Sequence, residues 1–203
     1  MCFPSSEPTP GTCQNPIRRK LVIVGDGGVG KTALVRCFVM NELALDGQYI
    51  ATIFENHVID VKCGSKNVEL TIWDTAGQED FDRIRYLAYP DTDAVVICFS
   101  VDDPQSLENV LELWVPEVQT YCRGLPYLLV GCKSDLRADA KLIQQLAEKN
   151  ESPIMYRKGF EIAQQIGACG YVETSARLGL NVEAAFLQAV QAVLPKKKRC
   201  VIL

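Results

Sequence analysis

Two hydrophobic periods run along this chain from residue 20 onward. Short β-branched runs at about 20–25, 53–62, 67–73, 93–99, 126–131 and 170–173 read as strands. Between them, apolar residues recur three and four apart, the spacing of one helix face. Leu107, Val110, Leu111, Trp114, Val118 and Tyr121 form such a stripe over 104–122, and Val182, Ala185, Phe186, Ala189, Val190 and Val193 form another over 181–193. Both stripes are core positions. Strands alternating with helices predict an α/β domain whose mostly parallel sheet is covered on both faces. The runs 53–62 and 67–73 are the exception, because only Cys63-Gly64-Ser65-Lys66 separates them. That is too short for a crossover helix and predicts an antiparallel hairpin at the sheet edge. Asp103-Pro104 and Asn181 stand where helix N-caps belong, and Pro116 is expected to kink or interrupt its helix.

Composition narrows the class. The longest apolar runs, Leu21 to Val24 and Ala94 to Phe99, fall far short of the ~20 residues a membrane helix needs. No transmembrane span is expected, and a cytosolic chain is. Residues 1–16 carry three of the ten prolines before Gly11 and no apolar segment of a secretory signal, so they read as a polar arm. The division expected is an arm over 1–16, one domain over 17–194 and a tail over 195–203. Nine cysteines lie scattered without CxxC spacing, Cys37, Cys98 and Cys122 among apolar neighbours, which suits buried reduced thiols better than disulfides or zinc. The net charge is −4, yet Lys196, Lys197, Lys198 and Arg199 gather four positive charges, leaving −8 on the remainder. An acidic body with a basic tail argues against nucleic acid and for an anionic membrane surface.

The chemistry starts at Gly25-Asp26-Gly27-Gly28-Val29-Gly30-Lys31-Thr32, which fits GxxxxGK[ST] between a buried strand and a helix carrying Leu34, Val35 and Phe38. Glycines at that spacing let backbone N–H groups curl around phosphates, the helix N-terminus adds its positive end, Lys31 reaches the β and γ oxygens, and Thr32 ligates Mg²⁺. Downstream, Trp73-Asp74-Thr75-Ala76-Gly77-Gln78-Glu79 follows the third strand, which puts Asp74 at a carboxyl strand end, where open α/β sheets bind ligands. Asp74 is the natural anchor for Mg²⁺ through a water.

With these motifs the chain resembles the Ras superfamily of small GTPases, and within it the Rho family. Tyr49-Ile50-Ala51-Thr52-Ile53-Phe54-Glu55-Asn56 is similar to the Rho switch I; Asp74 to Asp80 with Phe81-Asp82-Arg83-Ile84-Arg85 is similar to its switch II. Tyr89-Pro90-Asp91-Thr92-Asp93 and Cys98-Phe99-Ser100 carry the likeness further, and it extends from about Ile17 to Leu203 in the manner of a fungal Rho with an added N-terminal arm. The resemblance implies a Ras-like P-loop NTPase fold with six strands and a Rho-type insert helix. It implies that Thr52 closes on Mg²⁺ and the γ-phosphate, that Gly77 donates its N–H to that phosphate beside Ala76, and that Gln78 orients the attacking water. No cis arginine is evident, so efficient hydrolysis calls for one supplied in trans by a GTPase-activating protein.

Guanine is read in this family by an NKxD element, and here the position holds Cys132-Lys133-Ser134-Asp135. Asp135 still matches the two donors on the guanine edge and the Lys133 stem still lies along a ring, while a thiol is a poor donor for the remaining contacts. Thr174-Ser175-Ala176 resembles the loop whose Ser175 and Ala176 complete the base site. Phe38 to Thr52 is two residues longer than the family pattern, with Leu43 or Leu45 where an aromatic edge contact belongs; both departures predict faster nucleotide release.

Asp139 to Lys149 looks like the Rho insert helix, as fit for a solvated face as for a partner. His57, the only histidine, reads as a surface strand residue and not as a catalytic base. Cys200-Val201-Ile202-Leu203 reads as C-a-a-X, with leucine specifying geranylgeranylation of Cys200 beside the basic run. The expectation is a monomeric switch binding GTP, GDP and Mg²⁺ and working with an exchange factor, an activating protein, a Rho-type dissociation inhibitor and effectors at both switches. It would sit on the cytoplasmic face of the plasma membrane with a cytosolic pool. A constitutively GTP-bound scaffold is the alternative; the arginine-bearing lid of a nucleotide kinase is not evident.

Overall fold

The computed structural model describes residues 16–43 and 54–195. Six strands, β1 (Ile17–Val24), β2 (Phe54–Cys63), β3 (Lys66–Thr75), β4 (Ala94–Ser100), β5 (Tyr127–Cys132) and β6 (Tyr171–Glu173), form one sheet in the order β2-β3-β1-β4-β5-β6. Only β2 and β3 pair antiparallel, through a hairpin that closes at Cys63 opposite Lys66. The other neighbours run parallel, so the carboxyl ends of β1, β3, β4, β5 and β6 open on one edge of the sheet.

Alternation along the strands divides the core into two layers. Leu21, Ile23, Val96, Cys98, Leu128, Val130 and Cys132 face α1 (Lys31–Met40) and α7 (Val182–Val193), where the Phe38 and Phe186 rings stack 4.1 Å apart. Val22, Val24, Val95, Ile97, Phe99 and Leu129 face the helices between β4 and β6. The buried stripe of α7 runs Val182, Ala185, Phe186, Ala189 and Val190, as the periodicity predicts. Among the described residues no helix is long and apolar enough to cross a membrane.

The helix predicted over 104–122 is three segments: α3 (Pro104–Asn109), a π turn (Val110–Trp114) and α4 (Val115–Tyr121). Pro116 lacks an N–H, and the wider turn just before it accommodates the missing bond without ending the helix. The N-cap expectation is corrected in its chemistry. Asp103 and Asn181 occupy the N-cap positions, but neither side chain caps; Ser106 donates its hydroxyl to the Asp103 carbonyl at 2.6 Å, and Asn181 donates its amide to the Glu173 carbonyl at 3.0 Å. Asp139 does cap, its Oδ1 accepting from Lys141 N at 2.8 Å and Leu142 N at 3.0 Å, and starts α5 (Ala140–Glu148), which buries only Leu146. The segment after it is α6 (Tyr156–Ile166). His57 is also corrected: with 13% of its side chain exposed and Nε2 3.5 Å from Glu55, it is largely covered and not a surface residue.

Candidate functional site

Every described element of the predicted site lies at the carboxyl edge of the sheet. Gly25 to Gly30 turns from β1 into α1, and its first residue needs glycine for two reasons. Gly25 has φ 142°, and a Cβ there would stand 2.2 Å from the Cys98 carbonyl oxygen. Lys31 is 6% exposed and folds back over the loop, donating from Nζ to the carbonyls of Gly25 at 2.7 Å and Asp26 at 2.8 Å. Burial lowers its pKa against the attraction of nearby acidic groups, so the ammonium is a charge held in a dry loop.

The Asp26 side chain faces away from this cradle. One carboxylate oxygen accepts from Asn109 Nδ2 and the other from Trp114 Nε1, both at 2.6 Å. Asp26 is thereby tied to the π turn, and its main chain is what remains for a phosphate. These two partners had no sequence signal except Pro116, whose place inside the apolar stripe marks an irregular turn.

Asp74, at the end of β3, is fully buried opposite Ile23. Neither of its carboxylate oxygens has a hydrogen bond of normal geometry. Burial raises its pKa, while the Thr32 side chain and the Lys31 charge pull it down. A buried carboxylate without its normal hydrogen bonds beside a threonine hydroxyl and an ammonium fits a hard cation: Mg²⁺ takes one or two protein oxygens and completes its shell with water and phosphate.

Gly77 seats directly on the phosphate loop. A Cβ there would come within 2.3 Å of the Gly25 oxygen and 2.4 Å of the Gly27 nitrogen, so no other residue allows this approach. Ala76 is buried beneath, and Gln78 beside it is exposed. The segment is held from behind by a buried ion pair that sequence reasoning missed. Arg85, at the end of α2 (Asp82–Arg85), is 2% exposed and donates to the two oxygens of Glu117 in α4 at 2.7 and 2.8 Å. It also donates to Asp82 at 2.7 Å and the Ala76 carbonyl at 3.3 Å. Tyr89 OH donates to Glu117 as well. Burial opposes the Arg85 charge, and the Glu117 bonds more than offset it, raising the pKa; burial and the Glu117 charge raise that of Tyr89.

The remaining loops meet on the other side. Lys133 adopts φ 57° with Nζ 3.5 Å from Asp102, and Asp135 lies in the 3₁₀ turn Ser134–Ala138. Ser134 N donates to the Thr174 carbonyl at 3.0 Å and Thr174 N to the Gly131 carbonyl at 2.8 Å, so the 132–135 and 174–176 segments are stitched together. Ser175 closes its own loop by pairing with Leu180 and accepting from Leu178 N at 3.1 Å. Leu43 approaches this loop, its Cδ2 3.3 Å from where a Gly179 Cβ would stand. The structure therefore groups Gly25 to Thr32, Asp74, Ala76 and Gly77, and places Lys133, Asp135, Ser175 and Ala176 on the adjoining loops. Thr52, Leu45 and the rest of the expected switch I before Phe54 lie outside the described residues, as does Cys200 with its basic run.

Known proteins share much of this sequence. Residues 20–195 match the Ras family. GTP-binding protein RHO1 of Candida albicans is 49% identical, the alignment covering 92% of this chain and 96% of the relative. RHO1 of Saccharomyces cerevisiae is 48% identical over 93% and 97% of the two chains, and rho5 of Schizosaccharomyces pombe is 48% identical over 92% and 98%.

Proposed function

Since this chain belongs to the Ras family as a fungal Rho-type small GTPase, we propose that it cycles between a GDP-bound off state and a GTP-bound on state that recruits effectors. The observation that carries the reading is the seating of Gly77 on Gly25 to Gly27, because a segment in backbone contact with the phosphate loop must respond to a third phosphate placed there.

In this scheme the backbone N–H groups from Asp26 to Gly30 and the α1 N-terminus cradle the β-phosphate, and Lys31 turns from the Gly25 and Asp26 carbonyls to the β and γ oxygens. Asp135 takes the guanine N–H donors, with Lys133 along the ring and the Ser175–Ala176 backbone at the carbonyl edge. Thr32, Thr52 and, through a water, Asp74 would hold Mg²⁺, which when bound would supply charge neutralisation for the phosphates. Gly77 donates its N–H to the γ-phosphate. The Gln78 side chain, exposed beside it, orients the attacking water in line with the γ-phosphorus. Phosphorus–oxygen cleavage then leaves GDP and phosphate, and an arginine from an activating protein stabilises the charge that develops.

Exchange factors, a dissociation inhibitor and effectors acting through the two switches belong to the same proposal, as does a geranylgeranyl anchor at Cys200 that holds the domain on the cytoplasmic face of the plasma membrane. Single-turnover GTP hydrolysis with and without a Rho-type activating protein tests the cycle. Stimulated turnover is expected; negligible hydrolysis under both conditions would favour the constitutively GTP-bound scaffold.

A further inference from the structure

The run from Gly25 to Thr32 carries a single acidic side chain, Asp26, and a carboxylate is out of place by charge in a loop that gathers phosphates. The structure turns it outward onto two donors. Asn109 Nδ2 and Trp114 Nε1 each stand 2.6 Å from one of its oxygens, and Trp114 is 1% exposed. In an α-helix, positions 109 and 114 would lie about 140° apart around the axis and could not grip one group. The π turn brings them to one side: Val115 N donates to the Val110 carbonyl, the wider bond that stacks a residue over the fifth before it. The Trp114 ring also carries Arg85, whose guanidinium carbon lies 4.8 Å from its centroid. Arg85 donates to the Ala76 carbonyl at 3.3 Å, and at the next residue, Gly77, a Cβ would come within 2.3 Å of the Asp26 carbonyl carbon. Asp26 is therefore held by its side chain from the π turn and crowded at its main chain by Gly77.

We propose that Asn109 and Trp114 are positioning residues for nucleotide binding, which clamp the Asp26 carboxylate away from the phosphates. The proposal deepens the guanine-nucleotide reading and rests on it. Released from the clamp, the carboxylate can turn into the cradle, and its charge then acts twice. It meets the phosphate oxygens as a like charge in a half-buried site, where repulsion is screened less than in water. It also competes for Lys31, whose Nζ already lies 2.8 Å from the Asp26 carbonyl, and draws the ammonium from the phosphates to the loop's own acid. The clamp prevents both and leaves the Asp26 N–H for a phosphate oxygen. Neutral donors suit the task, because they satisfy both carboxylate oxygens without offering a cation that the phosphates would pull away. The nearby cation, Arg85, is already paired with Glu117 at 2.7 Å.

Trp114→Phe keeps a ring beside Arg85 and deletes the Nε1–H. Losing one bond to a charged acceptor should speed GDP release about tenfold. Asn109→Asp is nearly isosteric and sets a second carboxylate against the first, which should drive Asp26 off the clamp and speed release at least as much. Asp26→Asn combined with Asn109→Asp exchanges amide and carboxylate. The amide oxygen at position 26 can accept from Trp114 while its nitrogen donates to position 109, so both bonds return and the charge leaves the phosphate loop. Release from this exchanged pair should be slowed well below that of Asn109→Asp alone.

The test uses the full chain loaded with a fluorescent GDP at fixed Mg²⁺, displaced by unlabelled GDP, with urea midpoints measured on the same loaded samples. Trp114→Phe and Asn109→Asp at the wild-type release rate would overturn the proposal. So would an exchanged pair that regains the wild-type midpoint yet releases GDP as fast as Asn109→Asp, because the contact would then support the fold alone. A second rescue does not depend on the exchange folding well: Asp26→Asn added to Trp114→Phe removes the charge and should slow release relative to Trp114→Phe, and equal or faster release would count against the clamp. Wild-type protein that holds no GDP would sink the guanine-nucleotide reading and the clamp with it. Wild type that holds GDP beside variants that match it would sink only the clamp.

Discussion

Removing Glu117 should loosen the whole back of the switch II segment, and the structure sets the size of the effect. In Glu117→Ala, Arg85 keeps its 2% exposure but loses two hydrogen bonds and its buried counter-charge. Breaking such a pair by removing one partner costs about 3–5 kcal/mol, because the remaining charge stays desolvated. Arg85 retains Asp82, whose side chain is 37% exposed, and the Ala76 carbonyl, which puts the cost near the lower end, ~3 kcal/mol. Tyr89 OH loses its acceptor too and adds ~1 kcal/mol. A loss of about 4 kcal/mol lowers Tm by roughly 8–16 °C for a domain of this size.

The measurement is urea unfolding of GDP-loaded protein at fixed nucleotide and Mg²⁺ concentrations, since bound ligand itself stabilises the native state. With m near 2 kcal/mol/M, the midpoint should fall by ~2 M. A companion variant, Arg85→Met with Glu117→Leu, removes both charges and should recover to within ~1.5 kcal/mol of wild type, because the desolvation cost disappears together with the pair. GDP release should quicken in Glu117→Ala, since Arg85 also anchors Ala76, next to the Gly77 that covers the loop. A loss below ~1 kcal/mol in the single variant, or a double variant as unstable as the single one, would refute the reasoning.

The other expectations are as follows. Gln78→Leu should retain nucleotide binding and lose activator-stimulated hydrolysis, because the exposed side chain orients water without supporting the fold; stimulated single-turnover rates equal to wild type would reject the role. Asp74→Asn should abolish the Mg²⁺ dependence of nucleotide release yet stabilise the nucleotide-free, chelator-treated protein. Burial raises the Asp74 pKa above its unfolded value, so the native state binds the proton more tightly and wild-type stability falls as pH rises through that window, a slope that urea midpoints should show in wild type and not in the variant. Cys132→Asn should slow GDP release about two- to tenfold by restoring hydrogen bonds that a thiol makes poorly, and a rate at or above wild type would count against Cys132 as a weak point. Cys200→Ser should move the protein from membrane to cytosol with unchanged nucleotide affinity; persistent membrane partitioning at physiological salt would exclude the lipid as the main anchor.

Local patterns account for most of the fold that was legible from the residues. Strand positions came from apolar runs, the hairpin from a short turn, and α7 from its 3.6-residue stripe. β1 shows where such reading stops. The strand expected at about 20–25 begins at Ile17, because Arg18, Arg19 and Lys20 pair with Glu69, Leu70 and Thr71 of β3. Arg18 and Arg19 find Glu69 at 2.8 Å and Asp93 at 3.6 Å, partners that only the sheet brings near. The π turn was legible as a disturbance at Pro116, but not as the element that aims Trp114 Nε1 at Asp26. Asn109 and Trp114 stand 83 and 88 positions from Asp26, beyond any local signal.

The candidate site divides along the same line. Residues that touch a phosphate announce themselves, because glycines, a lysine and a threonine at fixed spacing are demanded by backbone geometry over eight residues. Residues that hold the loop in place do not, because they come from elements far apart in the chain: Trp114 and Asn109 from the helix after β4, Cys98 from β4, Cys132 from β5. Cys132 belongs to both groups. Where the family pattern has an asparagine that serves the base, this chain has a thiol whose contacts are Gly30, Cys98 and Thr174. The change therefore does more than subtract a hydrogen bond from guanine. It places a second sulfur next to one already under the loop, and joins the chemistry of the base end to the mechanics of the phosphate end.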